Sequence, residues 1–252
     1  MADTELNAAD GSERDYPFYN GWPIEISALK WLVPLAAVGL AVAVLLRHLP
    51  MFSQGYLQLA PGMLLTLLPL LGMALVAGRH WTALFRRVRL KDIGWMFAFA
   101  LLNYVIAVPL GFIVLNFVDT ETNAAIEGLK TFGQADRVLF FVNSIPQLIG
   151  EELISIVPFL ALLYYLTRKF GLSRRTAVII AWLATAVWFA AIHLPTYNWN
   201  ILQCLILIGG ARLVLTLAYL KTKNLWVSAG AHIINDWMTF TLTLVGASMG
   251  AG

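Results

Sequence analysis

Charge is what this chain has least of. Asp, Glu, Lys and Arg make up 12% of its 252 residues, against about 25% in an average soluble domain, while 60% are hydrophobic. That balance excludes an ordinary soluble fold and predicts a polytopic, all-α membrane protein embedded in a lipid bilayer. Cysteine is equally scarce: one residue, Cys204, excludes an intrachain disulfide and a Cys-based zinc cluster. The first twenty residues lack the basic and apolar regions of a signal peptide, so residues 1–27 are expected to be an acidic, mobile tail. No repeat, low-complexity tract or linker divides the remainder. Residues 28–246 read as a single helical domain and 247–252 as a short tail. A net charge of +3 would suit nucleic acid, but the bases lie between apolar runs, where the positive-inside rule expects them. Nucleic acid is therefore not an expected partner.

Crossing about 30 Å of hydrocarbon takes roughly 20 apolar residues. Seven windows qualify: Ala28 to Leu46, Gln58 to Gly78, Gly94 to Val118, Val138 to Leu166, Thr176 to His193, Asn200 to Leu220 and Leu225 to Val245. Between the second and third, Arg79 to Ile93 interleaves five bases with Trp81, Leu84, Phe85 and Val88, which predicts a basic amphipathic helix on the cytoplasmic surface. Arg168, Lys169, Arg174 and Arg175, then Lys221 and Lys223, mark two further loops on the same side, whereas the opposite loops hold only Arg47, Lys130 and Arg137. Seven spans put the amino terminus inside and the carboxy terminus outside, as expected in a bacterial cytoplasmic membrane. An eighth crossing would invert the side of access.

Against this apolar background the polar residues stand out. Glu151 and Glu152 adjoin within the fourth window, where an ionisable group costs roughly 3 kcal/mol and so faces a bundle interior with a partner or a task. Asn143, Gln147, Glu151 and Ser155 recur every four residues, which lines them along one helical face. In the seventh window Ser228, His232, Asp236, Thr239 and Thr243 follow similar spacing, with Asn235 alongside. The fifth window ends in His193. Taken singly, Asn143 or Thr239 reads as an interhelical hydrogen-bonding residue and His193 as an interfacial one. Two Glu, two His and an Asn–Asp pair on three spans are too many unfavourable burials for packing alone.

Three short patterns within residues 138–240 resemble those of the CAAX-protease and bacteriocin-processing family of intramembrane glutamic endopeptidases, which includes the type II prenyl-protein endopeptidases. They are Glu151-Glu152, Phe189 followed four residues later by His193, and His232 followed four later by Asp236 after the lead-in Leu225-Trp226. The resemblance implies that Glu151 activates a water with help from His193, that His232 stabilises the oxyanion, and that Asp236 orients or stabilises it. Two departures matter. Asp236 stands where the family also has Asn, and an ionised carboxylate cannot donate to an oxyanion; it accepts from His232 or holds a proton, and Asn235 is a candidate for the missing amide. Ile156 stands where the family places an Arg that would neutralise Glu152 from the same helix face. Arg212, the one base inside a span, is expected to supply that charge from another helix, the alternative being that it snorkels to the cytoplasmic surface.

No cofactor is expected. Zinc is the mechanistic alternative, since two His and two Glu can ligate it, but there is no HExxH helix. The functional expectation is hydrolysis of a peptide bond in a membrane-associated or exported peptide or protein. A peptide receptor or immunity protein that has lost the chemistry is the alternative from another class. A proton-coupled transporter relaying through Glu151, Glu152 and His232 is a third, disfavoured by the lack of paired halves, although Pro146 and Pro158 interrupt the fourth window.

Overall fold

The computed structural model describes residues 15–47, 49–52 and 55–249. Among them every regular element is helical. The long helices are α1 (Ala28–Leu46), α2 (Ala60–Ala77), α3 (Leu90–Phe117), α5 (Gln134–Tyr164), α6 (Arg174–Ile192), α7 (Ile201–Thr222) and α8 (Leu225–Met249), with a short α4 (Ala124–Thr131) between α3 and α5. Six have the length and apolarity of membrane spans. The seventh, α8, is as long as they are but less apolar, because the face that it turns to the bundle carries Ser228, His232, Asn235 and Asp236.

Helix α5 is the axis. Seventy-eight per cent of its most apolar window is buried, against 17% for α3, whose Phe97, Leu101, Val105, Phe112 and Phe117 are exposed as lipid-facing side chains should be. Small residues bring α1 and α2 close to this axis. A Cβ on Gly150 would lie 2.7 Å from the Leu65 carbonyl carbon, and one on Gly72 would lie 2.8 Å from Pro34 Cα. Pro158 lacks the N–H that would bond the Ile154 carbonyl, and the indole Nε1–H of Trp188 on α6 donates to that oxygen instead at 3.1 Å. Five residues of π-helix, Cys204–Ile208, lie within α7 just ahead of Arg212.

Two expectations are corrected at the basic end. Arg79 to Ile93 is not one surface helix: it is a 3₁₀ segment (Gly78–Leu84), then extended chain to Arg89, then the first turn of α3. Leu84 is fully buried, and the Asn224 side chain clasps the Arg86 backbone, accepting from its N–H at 3.0 Å and donating to its C=O at 3.1 Å. These contacts hold the segment against the bundle instead of on a lipid surface.

Residues 15–27 are likewise not part of a mobile tail; the rest of that expectation, residues 1–14, lies outside the described residues, as do 250–252. Tyr16, Phe18, Tyr19 and Ile26 are buried, with the Tyr16 ring 5.3 Å from Phe159 and 5.9 Å from Tyr219. Asp15 receives hydrogen bonds from Arg174 Nε and NH2 and from the Tyr19 hydroxyl, and Arg168 donates to the Asn20 carbonyl. The basic loops thus close over an aromatic strap. Burial acts to raise the Asp15 carboxyl, but Arg174, Tyr19 and the Tyr16 amide outweigh it and hold it below the ordinary carboxylate range. A depressed folded-state value means that the strap's contribution is present in full above that range and is lost as pH falls through it. Protection of the Tyr16, Phe18 and Tyr19 amides, taken relative to the intrinsic exchange rate at each pH, is therefore expected to be high at neutral pH and to fall on acidification below about pH 4, a loss that D15N shows already at neutrality.

Candidate functional site

The site is built where α5, α6, α7 and α8 meet. Each contributes polar side chains from an otherwise apolar face. Glu151 and Glu152 point to different sides of α5, and their surroundings differ accordingly.

Glu152 is fully buried and bound on both oxygens. Arg212 NH1 donates to Oε1 at 2.6 Å and NH2 to Oε2 at 2.9 Å, a two-pronged contact between α7 and α5. Arg212 is itself 1% exposed; its Nε–H donates to Thr216 Oγ1 at 2.9 Å and its guanidinium lies 5.1 Å from the Phe189 ring centre. The charge missing at Ile156, which is buried among apolar neighbours, is thus supplied from another helix, and Arg212 does not reach the surface. Thr216, one turn beyond Arg212, completes the arrangement and had no signal of its own in the sequence.

Glu151, 8% exposed, faces a cavity of about 680 Å³. Gln147, one turn back, donates to its Oε1 at 3.1 Å, while Ser155 turns to the Glu151 carbonyl and stays within its own helix. The imidazole brought to Glu151 is that of His232, whose Nε2 lies 3.8 Å from Oε2. The same ring uses Nδ1 at 3.0 Å from Glu152 Oε1. A carboxylate only accepts, so Nδ1 carries a proton and Nε2 is left for the cavity. His193, expected beside Glu151, lines the same cavity from the end of α6; its Nδ1 is 2.7 Å from the Phe189 carbonyl and its ring centre 4.5 Å from that of Phe189. That carbonyl also only accepts, so His193 too offers Nε2 as its free nitrogen.

Asp236 Oδ1 lies 3.7 Å from His232 Nε2, in ionic reach but beyond a hydrogen bond. Asn235, considered as an amide donor to the oxyanion, directs its Nδ2 at 3.0 Å to Asp236 Oδ1 instead. Its oxygen accepts from Asn103 Nδ2 at 2.8 Å. Asn103, on α3, is a residue behind the site absent from the sequence-based expectation, and its neighbour Tyr104 ties α3 to α8; a polar pair within an apolar span was the available signal.

Asn123, Thr196 and Tyr197 line the cavity toward the end of the bundle away from the basic loops, and apolar side chains including Phe140, Phe240 and Leu45 line its walls. Gln203 ties the loops at that end together like a strand of backbone, accepting from the Glu121 N–H and donating to the Glu121 C=O, each at 2.8 Å. Among the described residues, no group of three or more His, Cys, Asp or Glu side chains has the arrangement of a metal site.

Residues 133–238 match the family model described as type II CAAX prenyl endopeptidase Rce1-like. The matched segment is somewhat under half of the chain and contains Glu151, Glu152, His193, Arg212, His232, Asn235 and Asp236. No curated protein and no solved structure matches the chain.

Proposed function

From a segment of the Rce1-like type II CAAX prenyl endopeptidase kind carried on an integral membrane bundle, we propose that this protein is an intramembrane glutamic endopeptidase. The observation that carries the reading is Glu151: a carboxylate facing the cavity, with one oxygen steadied by Gln147 and the other facing an imidazole nitrogen. Glu151 takes a proton from a water held between it and the peptide carbonyl, with His193 Nε2 as a second acceptor for that water. The hydroxide attacks the carbonyl carbon, and the electron pair moves to the carbonyl oxygen. His232 acts as the imidazolium, among the Glu151, Glu152 and Asp236 carboxylates: with Nδ1–H anchored on Glu152 it presents Nε2–H to that oxyanion in a low-dielectric pocket, where such a donor has its largest effect. Collapse of the tetrahedral intermediate expels the amine, which takes the proton from Glu151. Glu152 is the fixed anion of the site, its charge balanced by Arg212, and acts by orienting His232.

No step is routed through a metal. Glu152, held by Arg212 on both oxygens and by His232 Nδ1, is not available as a metal ligand. Activity of the purified enzyme is expected to be unchanged by strong chelators; loss on chelation with recovery on added zinc would replace the mechanism.

The reach of the cavity toward the end opposite the basic loops, where Asn123, Thr196 and Tyr197 line it, suits a membrane-associated or exported peptide met from outside the cytoplasm of a bacterial cell. In cells carrying Glu151→Ala, an uncleaved membrane-associated protein should accumulate. An unchanged membrane proteome, with peptide still bound by the variant, would favour a receptor.

A further inference from the structure

We propose that Asn103, on α3 and outside the family-matched segment, is a positioning residue that keeps Asp236 from closing onto His232 and so keeps the His232 Nε2–H free for the substrate. The role rests on the reading of His232 as the oxyanion donor.

Asp236 is four residues beyond His232 on the same helix face, a spacing at which an acid and an imidazole readily pair. Its Oδ1 stops at 3.7 Å from Nε2. With a side chain about a quarter exposed to the cavity, Asp236 has room to move the remaining distance, and that closure would engage the donor with a carboxylate before any substrate arrived. What holds it back is the Asn235 amide, whose NH₂ end binds the same Oδ1 at 3.0 Å.

An amide has two ends of opposite polarity, and only the NH₂ end attracts a carboxylate. Asn235 on its own has no reason to keep that end turned to Asp236. Asn103 gives it one: its Nδ2–H₂ faces the Asn235 oxygen at 2.8 Å, so rotating the Asn235 amide would set two NH₂ groups against each other and an amide oxygen against a carboxylate. Both amides are buried, which sharpens the penalty. Asn103 bears a cost for this orientation, since its own Oδ1 is buried with no hydrogen-bond partner, the kind of group that calls for a reason when it is retained. The chain of dipoles Asn103, Asn235, Asp236 therefore has one direction. Besides His232, the charged or titratable groups near Asp236 are Glu151, His193, Arg212 and Tyr197 around the cavity and Tyr104 behind it, whose hydrogen bonds go to other partners.

Tyr104, the next residue of α3, provides the control. Its hydroxyl pairs with Thr239 Oγ1 at 2.5 Å and reaches the Asn235 backbone carbonyl at 3.4 Å, so it links α3 to α8 without bonding to the side-chain amides of Asn103 and Asn235.

The test uses the full-length protein in detergent or proteoliposomes, with a peptide whose cleavage depends on Glu151. Asn103→Leu, of similar size but with no donor, is expected to lower kcat about tenfold or more with KM within about twofold, while Tyr104→Phe leaves both within about twofold. The double variant N103L/N235L should be no slower than the slower single variant, because both break one chain. A readout that needs no activity is the imidazole ¹⁵N spectrum: the His232 Nε2 signal should move in N103L, and in a D236N background N103L should no longer move it. If N103L fails to accumulate, N103S, which shortens the reach without adding an apolar group, carries the same expectations. Wild-type kcat with an unmoved His232 signal in N103L, or multiplicative losses in the double variant, would overturn the proposal. Absence of any Glu151-dependent cleavage would overturn the endopeptidase reading instead, and the nitrogen signal would still decide the role of Asn103.

Discussion

Glu151→Gln is expected to lower the rate of peptide hydrolysis by about 10²–10⁴-fold, the range lost when a general base is removed, while peptide affinity stays within about twofold. The substitution is nearly isosteric. An amide oxygen at position 151 can still accept from the Gln147 Nε2–H, and the position is 8% exposed with little else to readjust, so packing of α5 is little disturbed. What disappears is the ability to take a proton from water. Binding measured by fluorescence anisotropy and turnover measured by mass spectrometry separate the two effects. A variant that neither binds nor cuts would indicate a structural Glu151, and one that cuts normally would move the base to Asp236 or His193.

Arg212→Met should be the most destabilising single change in the bundle, by about 3–5 kcal/mol, because it leaves the Glu152 carboxylate buried without its counter-ion. The figure follows from the geometry: Glu152 is fully buried, and among the described residues Arg212 is the one Lys or Arg paired with it. Glu152→Gln alone strands the guanidinium in the same way. The double variant E152Q/R212M is expected to recover most of the loss, since an amide oxygen at position 152 still accepts from His232 Nδ1 and the thioether side chain fills the space beside Phe189. Thermal unfolding in detergent, followed by tryptophan fluorescence, compares the four proteins. A double variant no more stable than R212M would mean that the pairing is not what holds α7 to α5.

These two expectations draw on parts of the chain that differed in how plainly they could be read. Spans are legible because bilayer thickness imposes a length and water exclusion imposes a composition; the windows Ala28 to Leu46 and Leu225 to Val245 begin where the helices do. The partnership of Arg212 with Glu152 is legible by counting charge, since a lone base and an unpartnered acid in one apolar bundle have few other places to go. The strap at Asp15 to Asn20 was not, because its burial depends on Arg168, Arg174 and the Tyr219 ring meeting from helices far apart in sequence. Nor was the choice of imidazole. Spacing sets His193 and His232 both near Glu151, and it is the anchoring of His193 Nδ1 on the Phe189 carbonyl and of His232 Nδ1 on Glu152 that leaves His232 as the ring nearer Glu151 Oε2. The π-helical stretch in α7 and the link from Asn103 to Asn235 likewise leave no periodic mark, the one being a local change of helix pitch and the other a single contact between helices.

The central claim is that Glu151 acts as a base on water and not as a nucleophile on the peptide. A single turnover in H₂¹⁸O tests it most directly. Water attack places one ¹⁸O in the new carboxyl terminus and none in the enzyme, and Glu151→Gln forms labelled product about 10²–10⁴-fold more slowly. Incorporation of ¹⁸O into the Glu151 side chain during that turnover, or labelled product from Glu151→Gln at the wild-type rate, would contradict it.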